Sequence, residues 1–282
     1  MTVQVAPRIY CLPAVAAPVV AVFRRGPTRW SHLGRWLLEP ARYEPGAWLR
    51  GRLFPRRSDL SPDGQWLCYF AHKPTATWPH GETYVAVSKL PWLTALQAFG
   101  TCGTWTRGYY FADSAAFTES DKARAIALPI AYSLCPIPVV QFANERRRGW
   151  VEAPDSPPRH PQDVWDERRN ARLQKRQPGG KRLLCLESVG HAGGEFGVEQ
   201  AVDGLRCCYS LISDGNLEIL DDLQWADWDA TGRLLAATRC GKLQIRQLEA
   251  SGAASRARIS FETDLSALAP APSPAPDWAQ RW

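Results

Sequence analysis

The feature that most constrains this chain is an internal echo: DLSPDGQWLCYF at residues 59–70 is answered by DWDATGRLLAAT at residues 227–238, 168 positions later. In each copy an Asp opens a short apolar pair, a four-residue stretch ending in Gly64 or Gly232 interrupts it, and an apolar run follows. Pro62 at an early turn position has a fixed φ suited to the bend, and glycine tolerates a positive φ, so each copy predicts strand, tight turn, strand. A further β run follows at 83–87 in the first copy, and at 243–248, after Cys240-Gly241-Lys242, in the second. This is the rhythm of an antiparallel meander. A partial third version, VDGLRCCYSLISDGNLEIL at 202–220, bends at Ser213-Asp214-Gly215.

These segments resemble a blade of the WD-repeat and Tol-like β-propeller families, on the strand, Asp- or Pro-Gly turn, apolar strand, Gly turn and strand of 227–248 and, with a longer second loop, of 59–87. The resemblance implies blades arranged radially, and 168 residues make four steps of roughly 42, inside the range of about 40–45 for such blades. The Gly-His and terminal Trp-Asp pairs of the WD repeat are missing from both copies, and no matching block stands at 101, 143 or 185. A twisted sheet or sandwich built from similar hairpins is the other architecture open to the chain. The expected fold class is therefore all-β: antiparallel meanders in an irregular or partial propeller-like domain with a polar insertion.

Composition agrees with that class. Thirteen Trp, 23 Pro and 21 Gly against a single Met favour sheets and turns over helix bundles, and 45% hydrophobic residues suffice for a large core. The domain expected spans 1–266. The apolar run at 12–23 is broken by Pro13 and Pro18, lacks a convincing cleavage site and is too short for a membrane helix, so it reads with 8–12 as two short buried strands. Residues 31–40, SHLGRWLLEP, predict a turn or two of helix with Ser31 as N-cap and Pro40 as stop, weakened by Gly34. Residues 144–182, with five Pro and seventeen charged residues, read as a polar insertion outside the core containing a short helix at 163–177. Residues 267–282 read as a Pro-rich tail in which Trp278 and Trp282 either pin the chain back or stay exposed.

The net charge of +6 is unevenly spread, at +7 over residues 1–60, +5 over 144–182 and −6 over 183–282. Internal compensation explains such a distribution as readily as an external ligand does. The eight cysteines, at 11, 68, 102, 135, 185, 207, 208 and 240, form no C-x-x-C pair and no zinc-like series with His. Most sit in apolar runs where a thiol acts as a small hydrophobe, and adjacent Cys207 and Cys208 point to opposite faces of a strand. The expectation is free thiols in a reducing cytoplasm, with no membrane partner.

Little of the sequence points to chemistry. No Walker, Rossmann, zincin, nucleophile-elbow or EF-hand pattern occurs, and HAGGEFG at 191–197 has neither the spacing nor the Lys of a phosphate loop, so it reads as a hairpin connection. Asp221, Asp222, Asp227 and Asp229 form the best carboxylate cluster. On a strand Asp227 and Asp229 share a face that suits a cation or acid/base pair, but in a blade-like turn such residues accept backbone hydrogen bonds, and this structural role is the one expected. His32, His72, His80, His160 and His191 are scattered. No catalytic, cofactor-binding or metal-ligating residue is assigned, and no cofactor is expected.

The function expected is a protein-interaction or scaffold module. The alternatives are a hydrolase-like enzyme on a propeller-like scaffold, or a nucleic-acid-binding protein whose dispersed arginines meet phosphates while Trp30, Trp36, Trp48 or Trp105 stack on bases. The first reading needs an apolar surface patch, the second a pocket of convergent carboxylates or His, the third one continuous basic face. The partner expected is another protein with an acidic surface, engaged through 144–182 by Arg146, Arg147 and Arg148 or by Arg168 and Arg169, with Trp150 or Trp165 as an apolar anchor. On this view residues 146–175 can be removed with the β domain still folded.

Overall fold

A computed structural model describes residues 6–26, 29–74, 81–105, 107–113, 124–138, 140–158, 171–191, 205–249 and 257–282. The chain is all-β, with 52% strand against 6% helix and five antiparallel sheets that follow one another along the sequence. The first holds β1 (Arg8–Pro13), β2 (Val19–Arg25), β3 (Trp30–Leu38) and β4 (Ala41–Arg50) in that order. The second holds β5 (Arg52–Leu53), β6 (Asp59–Leu60), β7 (Trp66–His72), β8 (Thr83–Lys89) and β9 (Gln97–Gly100), and β7 receives both β5 and β6. The third has β10 (Tyr109–Asp113), β11 (Ile126–Ala127) and β12 (Tyr132–Pro136), with β12 central. The fourth is a five-stranded meander of β13 (Val151–Glu152), β14 (Arg172–Arg176), β15 (Leu183–His191), β16 (Leu205–Ser213) and β17 (Asn216–Ile219). The fifth runs β18 (Leu223–Trp228), β19 (Leu234–Thr238), β20 (Lys242–Gln247), β21 (Arg258–Asp264).

The echo is architecture. Gly64 donates its N–H to Ser61 O at 2.9 Å and Gly232 to Asp229 O at 3.1 Å, and both glycines have positive φ, +73° and +82°. Each turn joins adjacent antiparallel strands, β6 to β7 and β18 to β19. The registers differ by one residue, because Leu60 faces Leu67 in the first copy while Trp228 faces Leu234 in the second. Side chains close both bends: the Asp63 carboxylate accepts the Ser61 hydroxyl and Gln65 N–H, and Asp229 accepts the N–H groups of Thr231 and Arg233. Such Asp-to-backbone bonds supply acceptors that a tight turn otherwise lacks. The copies lie in the second and fifth sheets, so their separation holds three sheet-to-sheet steps, and the expectation of four steps of 42 is corrected.

The chain divides into two compact units, one of Cys11–Pro138 with Ala269–Trp282, the other of Met1–Tyr10 with Val139–Leu268. In the first unit the apolar run at 12–23 falls on β1 and β2 as expected, and Val20, Ala21 and Val22 are fully buried. The helical expectation for 31–40 is overturned, because this segment forms most of β3, hydrogen-bonded to β2 on one side and β4 on the other. Ser31 donates to Gly51 O at 2.9 Å instead of capping a helix. Gly34 is required by packing: a Cβ there would fall on the Tyr43 ring. Phe54, Phe70, Val85, Val87, Phe111 and Leu134 form the core between the second and third sheets. Asp59, 1% exposed, ties them by accepting Phe111 N–H at 3.0 Å. The Pro-rich tail is pinned back, with the Trp282 ring 5.5 Å from Trp66 and Lys89 Nζ donating to Trp278 O at 3.0 Å.

In the second unit residues 144–182 are not an insertion outside the core. β14 is an interior strand of the fourth sheet, and Trp150, Ala171 and Leu173 are buried in a core with Leu184, Tyr209 and Trp228. The high local charge conceals this because strand alternation needs only every second residue to be apolar: in RLQKR, Leu173 points inward while Arg172 and Gln174 do not. Residues 172–176 belong to β14, which corrects the helix expected over 163–177 for its C-terminal part; 159–170 lie outside the described residues.

Candidate interaction surface

The carboxylates singled out in the sequence do not converge. Asp227 is on β18, buried, with Lys175 Nζ at 2.6 Å and the Trp228 N–H at 2.7 Å. Burial pushes its carboxyl above the usual range, and Lys175, the Trp228 N–H and the Trp150 indole pull it down without cancelling that shift. Asp229 turns back on its own loop and on Arg233, 2.6 Å away. Asp222 pairs with Arg246, and at Asp221 the backbone carbonyl accepts Arg239 Nε. Asp222, Asp227 and Asp229 therefore each have a cationic partner within the fold, in keeping with a structural role, whereas at Asp221 the contact is made by the backbone and not by the carboxylate. Among the described residues no group of three or more His, Cys, Asp or Glu is placed to hold a metal ion.

A second polar cluster was not legible as a group in the sequence. Arg24, His32 and Trp48 are cross-strand neighbours on β2, β3 and β4, and the His32 ring stacks on Trp48 with centroids 4.5 Å apart. Arg24, 3% exposed, lies over the same indole at 5.6 Å. His32 is fully buried and its Nδ1 is 3.1 Å from Ala47 O, which makes it the donor of a neutral ring whose Nε2 has no hydrogen-bond partner. Burial, with Arg24 adding to it, depresses the imidazole from 6.5 to about 4, although the bond to Ala47 pulls the other way. A histidine so sealed from water orders the sheet and has no route to a substrate.

Several arginines of the N-terminal third, with Trp36 fully buried and Trp30 edge-on to Trp48, are likewise used internally. Arg35 and Arg42 both pair with Glu44, and Arg52 and Arg57 lie over the Phe54 ring at 4.4 and 5.2 Å. Of the partner-binding groups expected in 144–182, Trp150 is 3% exposed and Arg148 9%, so neither is presented as an anchor, which corrects that expectation for these two. Arg146 pairs with Glu152; Trp165, Arg168 and Arg169 lie outside the described residues, as do His80, His160 and 192–197 of HAGGEFG. β15 and β16, which flank that stretch, pair antiparallel as a hairpin connection requires.

Apolar exposure concentrates instead on the fourth sheet. Leu217 and Ile219 on β17 are 64% and 69% exposed, the largest values among the exposed large hydrophobic residues, and Val151 on β13 is 56% exposed. The β16–β17 turn has Asp214 at φ +50° and Gly215 at +81°, two successive positive values that give a two-residue hairpin matched to the twist of its strands. Leu217 faces the partly buried Ile212, which faces Leu183 on β15. An apolar row thus runs across the sheet to an edge strand that pairs, among the described residues, with β16 alone.

No protein-family model, curated protein or solved structure matches the chain. Strand order and this surface accordingly define it as an all-β protein of sequential antiparallel meanders with an exposed apolar edge.

Proposed function

We propose that this protein is an interaction or scaffold module that docks another protein on the β16–β17 hairpin. The observation that carries this reading is the exposure of Leu217 and Ile219, adjacent on one face of an edge strand, where solvent contact costs a module nothing if a partner covers it. The internal use of the arginines and carboxylates favours it over the nucleic-acid and hydrolase-like readings. The sequential meanders support a propeller-like arrangement of blades, which small-angle scattering tests by separating a closed ring from a row of sheets. Eight free cysteines, six of them in strands, support a reducing, cytoplasmic setting. Chemical cross-linking with mass spectrometry on wild type and Leu217→Ser/Ile219→Ser decides the docking claim: partners should be lost at an unchanged melting temperature, and an identical partner set refutes it.

A further inference from the structure

We infer that residues 270–278 form a polyproline strap that docks in a groove lined by aromatic rings on a partner protein, independently of the β16–β17 hairpin. The sequence sets the conformation of the strap. In APAPSPAP, residues 269–276, every residue either is a proline or immediately precedes one. Proline locks its own φ at about −65°, and its ring pushes the residue before it out of the helical region. The alternation therefore favours an extended polyproline II helix throughout, and Pro276 has φ −66° and ψ 159°. Ala271, Pro272, Ser273 and Pro274 are exposed. Among the described residues, 270–274 make no hydrogen bond, so the fold leaves their carbonyl groups unused.

The strap nevertheless has a fixed exit. Ala279 is fully buried, Gln280 Nε2 donates to Ala275 O at 2.6 Å, and Lys89 Nζ donates to Trp278 O at 3.0 Å. The Trp282 ring lies 5.5 Å from Trp66, while Trp278, two residues beyond the last proline, stays 46% exposed. A segment both exposed and already ordered loses little conformational entropy on docking, because Ala and Pro side chains have no rotamers to give up and the prolines hold the backbone beforehand.

The composition of the strap selects its occupant. No residue from Ala267 to Pro276 is charged, so the strap matches neither a phosphate nor a charged face. Four of the eight residues 269–276 are prolines without an N–H, so it cannot complete a β ladder either. What it presents are proline rings, which pack on aromatic faces, and carbonyl groups, which accept from indole or phenol donors between those faces. Pro272 and Pro274 stand about 6 Å apart along a polyproline II axis, which sets the spacing of the rings that receive them.

The test is photo-cross-linking with Ala271→p-benzoylphenylalanine in a lysate of the source organism, with poly-L-proline or a Gly/Ser peptide of equal length as competitor. Irradiation should join residue 271 to another protein, and poly-L-proline, but not the Gly/Ser peptide, should reduce that product at least about tenfold. The product should fall similarly when Pro272→Gly/Pro274→Gly is added, which frees the backbone and leaves the Trp66–Trp282 contact in place, at an unchanged melting temperature. If that variant melts abnormally, Pro272→Ala/Pro274→Ala, which removes the rings alone, decides instead. The inference is overturned by the lack of any cross-linked partner, by a product that poly-L-proline leaves intact, or by one equally abundant in the Pro variants. A product joining residue 271 to this same chain also overturns it, since a second copy or the strap's own fold would then be the occupant.

Discussion

Lys175 on β14 holds its ammonium nitrogen 2.6 Å from the Asp227 carboxylate on β18, with the two side chains only 16% and 5% exposed. The pair joins the fourth and fifth sheets of one compact unit, beside bonds from Trp228 Nε1 to Lys175 O and from Gln177 Nε2 to Gly232 O. A buried pair of this kind gains little over an apolar replacement of both members, but removing one member strands the other.

Lys175→Met is therefore expected to destabilise the protein by about 3–5 kcal/mol at neutral pH, by leaving Asp227 ionised in a desolvated place. Because burial already raises the Asp227 carboxyl, its contribution is favourable when protonated and is lost as pH rises through its folded value. Loss of Lys175 raises that value further. The deficit against wild type should thus narrow in mildly acidic buffer, and Lys175→Met/Asp227→Asn should recover part of it. Chemical denaturation across pH measures both effects.

His32 makes an opposite acid dependence. Its folded value of about 4 lies below the ordinary 6.5, so its contribution is present above 6.5 and is lost as pH falls through about 4. A shift of this size corresponds to roughly 3 kcal/mol. The stability difference between wild type and His32→Gln should change by about that amount over this window, and a pH-independent difference would show that the ring titrates normally in the fold.

Three of the positive-φ turn glycines, Gly64, Gly215 and Gly232, should rank by what surrounds them. At Gly215 no atom lies within 4 Å of an added Cβ, so Gly215→Ala should cost only the backbone term of about 1–2 kcal/mol. At Gly64 the Cβ would come 2.8 Å from Val19 Cβ, and at Gly232 it would come 2.6 Å from the Pro178 carbonyl oxygen. Crowding adds about 1–3 kcal/mol at these two sites, most at Gly232, where the neighbour is backbone. Denaturation midpoints of the three Ala variants check the order.

Excision of residues 146–175 should abolish cooperative unfolding, since it removes Trp150, Leu173 and most of β14 from the core. Trp150→Ala alone should cost about 3–5 kcal/mol. A deletion variant that still melts cooperatively near the wild-type temperature would contradict the position of β14 inside the fourth sheet.

Much of this protein is written locally in its sequence. The apolar alternation, the Ser61–Gly64 and Asp229–Gly232 bends and the scattered cysteines determine an all-β chain of meanders, because strand period and turn chemistry depend on residues a few positions apart. The structural use of Asp229 was legible for the same reason. Tertiary structure decided the rest. Residues 31–38 join a strand because β2 and β4 supply partners on both sides, and RLQKR enters the core because β13 and β15 flank it, neither of which local composition records. The burial of His32 beside Arg24 and Trp48 depends on cross-strand register, and so does the exposure of Leu217 and Ile219. Shifting a register by one residue moves every side chain to the other face, so which apolar residues are covered and which are left for a partner is settled only when distant strands have paired.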